Sequence, residues 1–256
     1  MEERRVTYLG HASILLERDG TRLLTDPLLR PSLMRLLRRR HAIPELETTG
    51  LGAVLISHVH HDHLDLPTLR RIGRHTPVIV PAGTAPMLER EGFVDVREVE
   101  PGDQLEIGSI RVSVTEAVHE AVRRRAPEPP ALGYLFGEPG ALTYFPGDTA
   151  PFDGMAEIAA RGVDLALLPI WGWGPTLGPG HMDPEQAAEA LAVLGARRAV
   201  PIHWGTYTPV GAGRIWPWMS ERPAREFAEH ATRAAPAAEV TILEPGESLP
   251  ALGAGD

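Results

Sequence analysis

Four histidines and an aspartate crowd into six residues, His58-Val59-His60-His61-Asp62-His63, directly after the apolar stretch 53–57. A strand sends successive side chains to opposite faces, and a helix aligns only positions three or four apart. Neither can aim His58, His60, Asp62 and His63 at one point. The run therefore reads as a loop where a buried strand ends, in a fold whose strand ends converge on one edge. Imidazole and carboxylate at this density suit a divalent transition metal, and their number suits two. The plainer reading, a polar surface loop that happens to be His-rich, is opposed by the buried-looking strand and by ligand-type residues further on.

Cysteine is absent, so any metal must be held by His, Asp and Glu, and no disulfide framework or thiolate nucleophile is possible. All 25 basic residues are Arg, which removes Schiff-base lysines and a P-loop lysine from consideration. The net charge of -9 argues against a general nucleic-acid binder, whose phosphate contacts need a basic face. No apolar signal region opens the chain, and no stretch approaches the roughly 20 apolar residues of a membrane span. A single domain over residues 1–256, cytoplasmic and of enzyme size, is the expectation.

Periodicity divides the chain into hairpins and then βα units. Residues 6–9, 13–17 and 21–25 read as strands, the last two joined by the turn dipeptide Asp19-Gly20. Residues 33–40, with Leu at 33, 36 and 37 and Arg at 35 and 38–40, read as a short amphipathic helix. It is open to use as a lid, a membrane-surface helix or a phosphate-attracting patch, but a solvated helix with its Leu side packed inward is the plainer choice. Helices are expected over 66–74 and 85–91, and strands over 78–80, 104–107, 110–115, 132–136 and 141–145. Residues 123–130, rich in Arg and Pro, read as an exposed loop. The last third alternates helices at 155–161, 185–194 and 222–233 with strands at 165–168, 198–202 and 240–243. Asp183-Pro184 marks the start of the second of these helices. Two mixed sheets covered by helices fit this order, an α/β (α+β) architecture.

Three more ligand-type residues sit just past strands: His119 after 110–115, Asp148 after 141–145 and His203 after 198–202. Any one alone would more often be a satisfied structural residue. Together with the first cluster they point to one site.

The spacing His58-x-His60-x-Asp62-His63 resembles the H-x-H-x-D-H signature of the metallo-β-lactamase superfamily, and His119, Asp148 and His203 follow in the order that family uses. Gly10-His11-Ala12-Ser13, Thr25-Asp26-Pro27, Gly180-His181-Met182-Asp183-Pro184-Glu185 and Ile202-His203-Trp204-Gly205-Thr206 resemble one branch of it. That branch holds the N-acyl phosphatidylethanolamine phospholipase D and ascorbate-6-phosphate lactonase types. The resemblance covers nearly the whole chain and implies a four-layer αββα sandwich with its site at one edge. It implies that His58, His60 and His119 hold one metal, that Asp62, His63 and His203 hold a second, and that Asp148 bridges them. The cofactors implied are two divalent ions, zinc first, with manganese or iron also compatible with mixed N/O ligation. Two such ions roughly 3.5–4 Å apart share a hydroxide and clamp the attacking and leaving oxygens, so no Ser or Cys nucleophile is needed. The expected reaction is hydrolysis of an ester-like bond, a phosphodiester or phosphorylated lactone of a small metabolite or lipid. An RNA-processing nuclease of the same superfamily and a metal-binding protein without turnover are the alternatives.

Asp62 and His181 are the catalytic candidates, His181 as a proton donor to the leaving group or a hydrogen-bond donor to substrate oxygen. Asp26 is expected to orient a ligand imidazole from behind, and His11 either to do likewise or simply to be buried. His61 is the spacer and is expected to point away, while His41, His75 and His230 read as surface histidines. Trp171, Trp173 and Trp204 are candidates for an apolar substrate wall, with Trp216 and Trp218 pinning loops.

Overall fold

The computed structural model describes residues 4–119, 129–172 and 174–250. The predicted loop residues 123–128 and Trp173 lie outside the described residues. Strands β1 (Arg4–Gly10), β2 (Ser13–Arg18) and β3 (Thr21–Thr25) form an antiparallel meander. Its second turn is Asp19-Gly20, with φ of 49° and 80°. Both residues are left-handed, as a two-residue hairpin turn requires if the strands are to keep their twist. Next along the chain come β4 (Ser32–Leu33) and β5 (Leu37–Arg39), followed by β6 (Ala53–Leu55). Then come α1 (Leu66–Ile72), β7 (Val78–Pro81), α2 (Ala85–Arg90) and β8 (Val96–Val99). β6, β7 and β8 add to β3 in parallel.

The second half is built the same way. β9 (Gln104–Ile107), β10 (Ile110–Glu116), β11 (Leu132–Phe136) and β12 (Leu142–Phe145) run antiparallel. After α3 (Met155–Ala159) comes β13 (Val163–Pro169), and after α4 (Pro184–Leu194) comes β14 (Arg198–Ile202). β15 (Tyr207–Pro209), α5 (Ala212–Ile215) and α6 (Arg222–Ala234) precede β16 (Glu239–Val240) and β17 (Ser248–Pro250). The sheet orders are β17-β1-β2-β3-β6-β7-β8 and β16-β14-β13-β12-β11-β10-β9.

Alternation within each strand sorts the core into layers. Val6, Tyr8, Ile14, Leu16, Leu23 and Leu55 of the first sheet meet Val112, Tyr134, Phe145, Leu165 and Val200 of the second in one buried cluster. The intervening residues Leu15, Leu24, Val54, Val78 and Val80 face the other way, into a cluster with Leu69 of α1 and Leu88 of α2. On the far side Leu135, Tyr144, Ala166 and Leu168 pack with Met155, Leu191 and Phe227 of α3, α4 and α6. Helix, sheet, sheet, helix is the resulting order, and burying the two inner faces against each other is what ties the halves together. Asp183 accepts from the Gln186 N–H while the Gln186 side chain accepts from the Asp183 N–H, a capping box that fixes where α4 starts.

One element departs from its sequence reading. Residues 33–40 are a hairpin rather than an amphipathic helix. β5 pairs with β4 through Leu33↔Leu37 and with β15 through Leu37↔Pro209. Leu33 and Leu37 stand four apart, which suits one helix face equally well, but here they face each other across the hairpin and are buried with Leu28 and Tyr207. Leu36, which a helix would bury beside them, is 68% exposed. The turn is closed by the Leu36 N–H to the Leu33 carbonyl, 3.1 Å, with Met34 and Arg35 at φ of 47° and 60°. Strands β8, β15 and β17 are short edge pieces that no periodicity announced, and the predicted strand 240–243 is trimmed to Glu239–Val240.

Candidate metal centre

Strand β6 ends at Leu55, and the chain turns back on itself so that the N–H groups of His63 and Leu64 both donate to the His60 carbonyl, at 3.1 and 2.8 Å. This compact turn aims His58, His60, Asp62 and His63 at the edge where β10, β12 and β14 also end. Three ring nitrogens meet first. His60 Nδ1 lies 3.0 Å from His58 Nε2 and 3.1 Å from His119 Nε2. A second set gathers beside it: His63 Nε2 is 3.2 Å from His203 Nε2, and Asp62 Oδ2 is 3.9 and 3.6 Å from those two atoms. Asp148 Oδ2 touches His63 Nε2 at 3.2 Å, His203 Nε2 at 3.3 Å and His181 Nε2 at 3.2 Å.

The opposite ring nitrogens settle which way the protons lie. His119 Nδ1 faces the Gly180 carbonyl at 2.7 Å, and His203 Nδ1 faces the Trp171 carbonyl at 2.9 Å. Both must donate there, which leaves the Nε2 lone pairs turned into the cluster. Asp26 does the same for the first run. Its carboxylate accepts from the Ser57 N–H (2.7 Å), the Ser57 hydroxyl (2.5 Å) and His63 Nδ1–H (2.7 Å). Because the Ser57 hydroxyl spends its only proton on Asp26, it accepts from His58 Nδ1–H at 2.9 Å, and His58 Nε2 is again a lone pair. Imidazole lone pairs held about 3 Å apart repel unless a cation or proton lies between them.

Electrostatics follow from this crowding. Burial disfavours a charged His58, and the neighbouring His63 adds to it, so its pKa falls well below the usual imidazole value. His63 is buried too, yet Asp148, Asp26 and Asp62 around it outweigh that and hold its pKa well above the usual value. Burial works against the charges of Asp62 and Asp148, but the surrounding imidazoles hold both well below the usual carboxylate range. His11 is completely enclosed, and burial together with His203 brings its pKa down to about 4 against the pull of Asp62. Its neutral ring donates from Nε2 to Asp62 Oδ2 at 3.0 Å. Its backbone is held left-handed (φ 58°) by two bonds: its N–H donates to Thr206 Oγ1 at 2.7 Å, and its carbonyl accepts from the His203 N–H at 2.9 Å.

Whether these residues suit metal ions can be asked of the donors themselves. Asp148 is 2% exposed and its Oδ1 has no hydrogen-bond partner among the described residues. An uncompensated buried carboxylate oxygen beside a fan of imidazole lone pairs fits divalent cations; His58, His60 and His119 gather on one side, and Asp62, His63 and His203, with His11 behind Asp62, on the other. Gly147 lets the two loops meet: at φ 64°, a Cβ there would fall 2.5 Å from Ser57 Cβ.

A family model described as the beta-lactamase superfamily domain matches residues 21–204. The chain belongs to the metallo-β-lactamase superfamily. A UPF0173 metal-dependent hydrolase of Opitutus terrae is 31% identical over 252 residues, covering 96% of this chain and 99% of that protein. An N-acyl-phosphatidylethanolamine-hydrolyzing phospholipase D 1 of Caenorhabditis elegans is 29% identical over 234 residues, covering 80% of this chain and 64% of its own length. A solved metallo hydrolase from Ignicoccus hospitalis shares the fold with a TM-score of 0.70 at 24% identity, over 96% of this chain and 97% of that one.

In this member of the superfamily the cluster opens into a cavity of about 530 Å³ bordered by His60, Asp62, Asp148, His181 and His203. Gly172, residues 174–178 and Met34 close its sides. His61, expected to point away, lines this cavity and an adjoining one of about 320 Å³. Met34 is shared by the same two spaces; the sequence marked it only as part of the segment 33–40, because its place depends on the left-handed hairpin tip. Trp204 does not reach the cavity. It is 7% exposed, packs among the core residues beneath α4 and α6, and donates from Nε1 to the Pro201 carbonyl at 2.9 Å. Trp171 packs at the edge of that core and contributes its carbonyl to His203 rather than its ring to the cavity. His41 and His230 lie at the surface near Glu244 and Glu185, and His75 is exposed. No helix of the described residues is long and apolar enough to cross a membrane.

Proposed function

We propose that the chain is a dinuclear metal-dependent hydrolase that cleaves a phosphodiester bond in a small metabolite or lipid. The observation that supports this most is the gathering of His58, His60 and His119 on one side and of Asp62, His63 and His203, backed by His11, on the other, beside Asp148 with its spare Oδ1. His58, His60 and His119 would hold one ion, Asp62, His63 and His203 the other, and Asp148 both. When bound, two such ions supply Lewis acidity and an activated water near neutral pH. The protein's own groups do the rest. His11 and Asp26 orient Asp62 and His63 through the hydrogen bonds described above. His181 Nδ1 faces the carbonyls of Gly178 and Pro179 at 3.2 and 3.1 Å while Nε2 faces Asp148 Oδ2. Both nitrogens therefore donate, and the imidazolium is held by Asp148 against the cost of burial, its pKa above the usual value. It is the group placed to hand a proton to a leaving oxygen. The phospholipase D relative, whose name states a phosphodiester substrate, favours that bond over a lactone.

The test is hydrolysis of bis(p-nitrophenyl) phosphate, p-nitrophenyl phosphate, a lactone and a carboxyl ester by the zinc-loaded and manganese-loaded protein, with bound metal counted by mass spectrometry. Phosphodiester turnover with two ions per chain is expected. Turnover of lactone alone would reject the phosphodiester assignment, and no turnover with both ions bound would reject the hydrolase.

A further inference from the structure

The small third sheet, β4-β5-β15, carries a charge and polarity pattern unlike the rest of the molecule. The chain as a whole is at -9, yet residues 27–44 and 206–220 contain Arg30, Arg35, Arg38, Arg39, Arg40 and Arg214 and not one Asp or Glu. Some of these cations are used internally. Arg30 pairs with Asp65 at 2.9 Å, Arg39 bonds the Leu9 and Leu28 carbonyls beneath the Tyr207 ring, and Arg40 reaches the Gly205 carbonyl. The side chains of Arg35 and Arg38 are exposed and make no ion pair or hydrogen bond among the described residues.

Exposed apolar side chains concentrate in the same place. Among the described residues nine large hydrophobics are exposed, and five of them, Met34, Leu36, Val210, Ile215 and Trp216, belong to this sheet and the α5 turn that follows it. The Val210 N–H donates to the Leu36 carbonyl at 2.8 Å, joining the two halves of the patch, and α5 begins two residues later. Scattered exposed hydrophobics need no explanation, but a contiguous group rimmed by unpaired cations does. The tip that displays Met34 and Arg35 is also strained. Both adopt the left-handed region that L-residues with a Cβ avoid, at about 1–2 kcal/mol each. Strain of this kind is retained where the presented side chains serve a purpose.

We infer that this face docks on an anionic phospholipid surface, with Leu36, Ile215 and Trp216 entering the headgroup region and Arg35 and Arg38 against the lipid phosphates. Charge decides the occupant. A second copy of this chain would bring like-charged guanidinium groups together across a two-fold axis, whereas an anionic leaflet attracts each one. Apolar side chains beside cations are the combination that interfacial binding requires. Met34 ties the face to the catalytic edge, because it also walls the metal-site cavity, so docking would bring the cavity mouth to the lipid headgroups. The inference stands apart from the hydrolytic reading, since it concerns adsorption and not turnover.

The experiment is co-sedimentation of the metal-loaded full chain with vesicles of phosphatidylcholine alone and of phosphatidylcholine with phosphatidylglycerol, at low and high salt. Binding is expected only to the anionic vesicles and is expected to weaken with salt. Each guanidinium near the surface is worth about a five-fold change in binding, so Arg35→Ala with Arg38→Ala should weaken it about 25-fold. Leu36→Asp should cost about ten-fold or more. Circular dichroism and turnover of a small chromogenic phosphodiester should be unchanged for Arg38→Ala and Leu36→Asp, which lie outside the metal cavity. No gain on anionic vesicles overturns the inference, as does equal binding by the variants or equal retention on soluble polyglutamate. Loss of turnover in the wild type with vesicle binding intact would instead count against the hydrolase alone.

Discussion

Replacing Asp26 by Asn is the sharpest probe of how the second donor set is held. The backbone at Asp26 is left-handed (φ 35°), a region Asn adopts more readily than Ala, so the isosteric amide isolates the chemistry. In the wild type Oδ2 accepts from both the Ser57 hydroxyl and His63 Nδ1–H, while Oδ1 accepts from the Ser57 N–H. An amide can keep the Oδ1 bond, but its NH2 group then confronts two donors. The Ser57 hydroxyl can rotate and accept. His63 cannot, except by moving its proton from Nδ1 to Nε2. That proton then points at His203 Nε2 and Asp148 Oδ2, where a ligand lone pair had been. Exchanging a charge-assisted bond of about 1.5–3 kcal/mol for a neutral one of about 0.5–1.5 kcal/mol costs roughly 1–2 kcal/mol of stability. In a protein of this size that lowers Tm by about 2–8 °C. Loss of an orienting carboxylate weakens a metal site by about 10–100-fold. Competition with a chromogenic chelator should therefore show one of two ions weakened by that factor and the other nearly unchanged. Nitrogen NMR of the imidazoles should show His63 changing tautomer. Two ions held with wild-type affinity and an unchanged His63 tautomer would refute the reasoning.

For His181→Ala, turnover should fall about 100-fold or more while both ions stay bound, as measured by metal analysis beside steady-state kinetics; unchanged turnover would remove His181 from the mechanism. Trp204→Phe removes the Nε1–H bond to Pro201 and leaves a small void, so denaturant melts should report a loss of about 1–3 kcal/mol with kcat/KM unaltered. A several-fold rise in KM without loss of stability would return Trp204 to the substrate wall. Replacing Met34-Arg35 with Asn-Gly relieves two left-handed side chains and should stabilise the hairpin by about 1–2 kcal/mol, read from thermal unfolding. No gain in Tm would mean that the tip is not strained.

The parts of the molecule that are legible in the sequence are those governed by local pattern. Strict alternation in residues such as Ile14-Leu15-Leu16 and Leu165-Ala166-Leu167-Leu168 sorts side chains between the inner cluster and the helix-covered faces, so two covered sheets could be expected before any coordinates. The His58–His63 run is legible for the opposite reason: it obeys neither period, so only a loop at a strand end can use it. His119, Asp148 and His203 gain meaning by sharing that location. The role of Ser57 is hidden, because a serine before a histidine motif has no signature. Its importance lies in passing one proton to Asp26 and receiving another from His58, a relation between segments 31 residues apart.

Residues 33–40 show where local pattern stops deciding. The spacing Leu33–Leu37 satisfies one turn of a helix and also a hairpin with a three-residue loop, Met34-Arg35-Leu36, whose strands pair those same residues. Helix formation there would begin from a costly nucleus with few residues to propagate it. The hairpin instead receives a third strand, because Tyr207–Pro209 pairs with β5, the Tyr207 hydroxyl bonds the Arg30 carbonyl at 2.7 Å, and Arg39 reaches under it to the backbone at Leu28. These partners come from segments about 170 residues apart, so no window along the chain contains the reason. They also account for the strain: burying Leu33, Leu37 and Tyr207 around Leu28 favours the hairpin by more than the two left-handed residues cost. Asn-Gly would have made the same turn without strain. The retained Met34 and Arg35 therefore answer to what lies outside the hairpin, the cavity wall on one side and the exposed apolar and cationic face on the other.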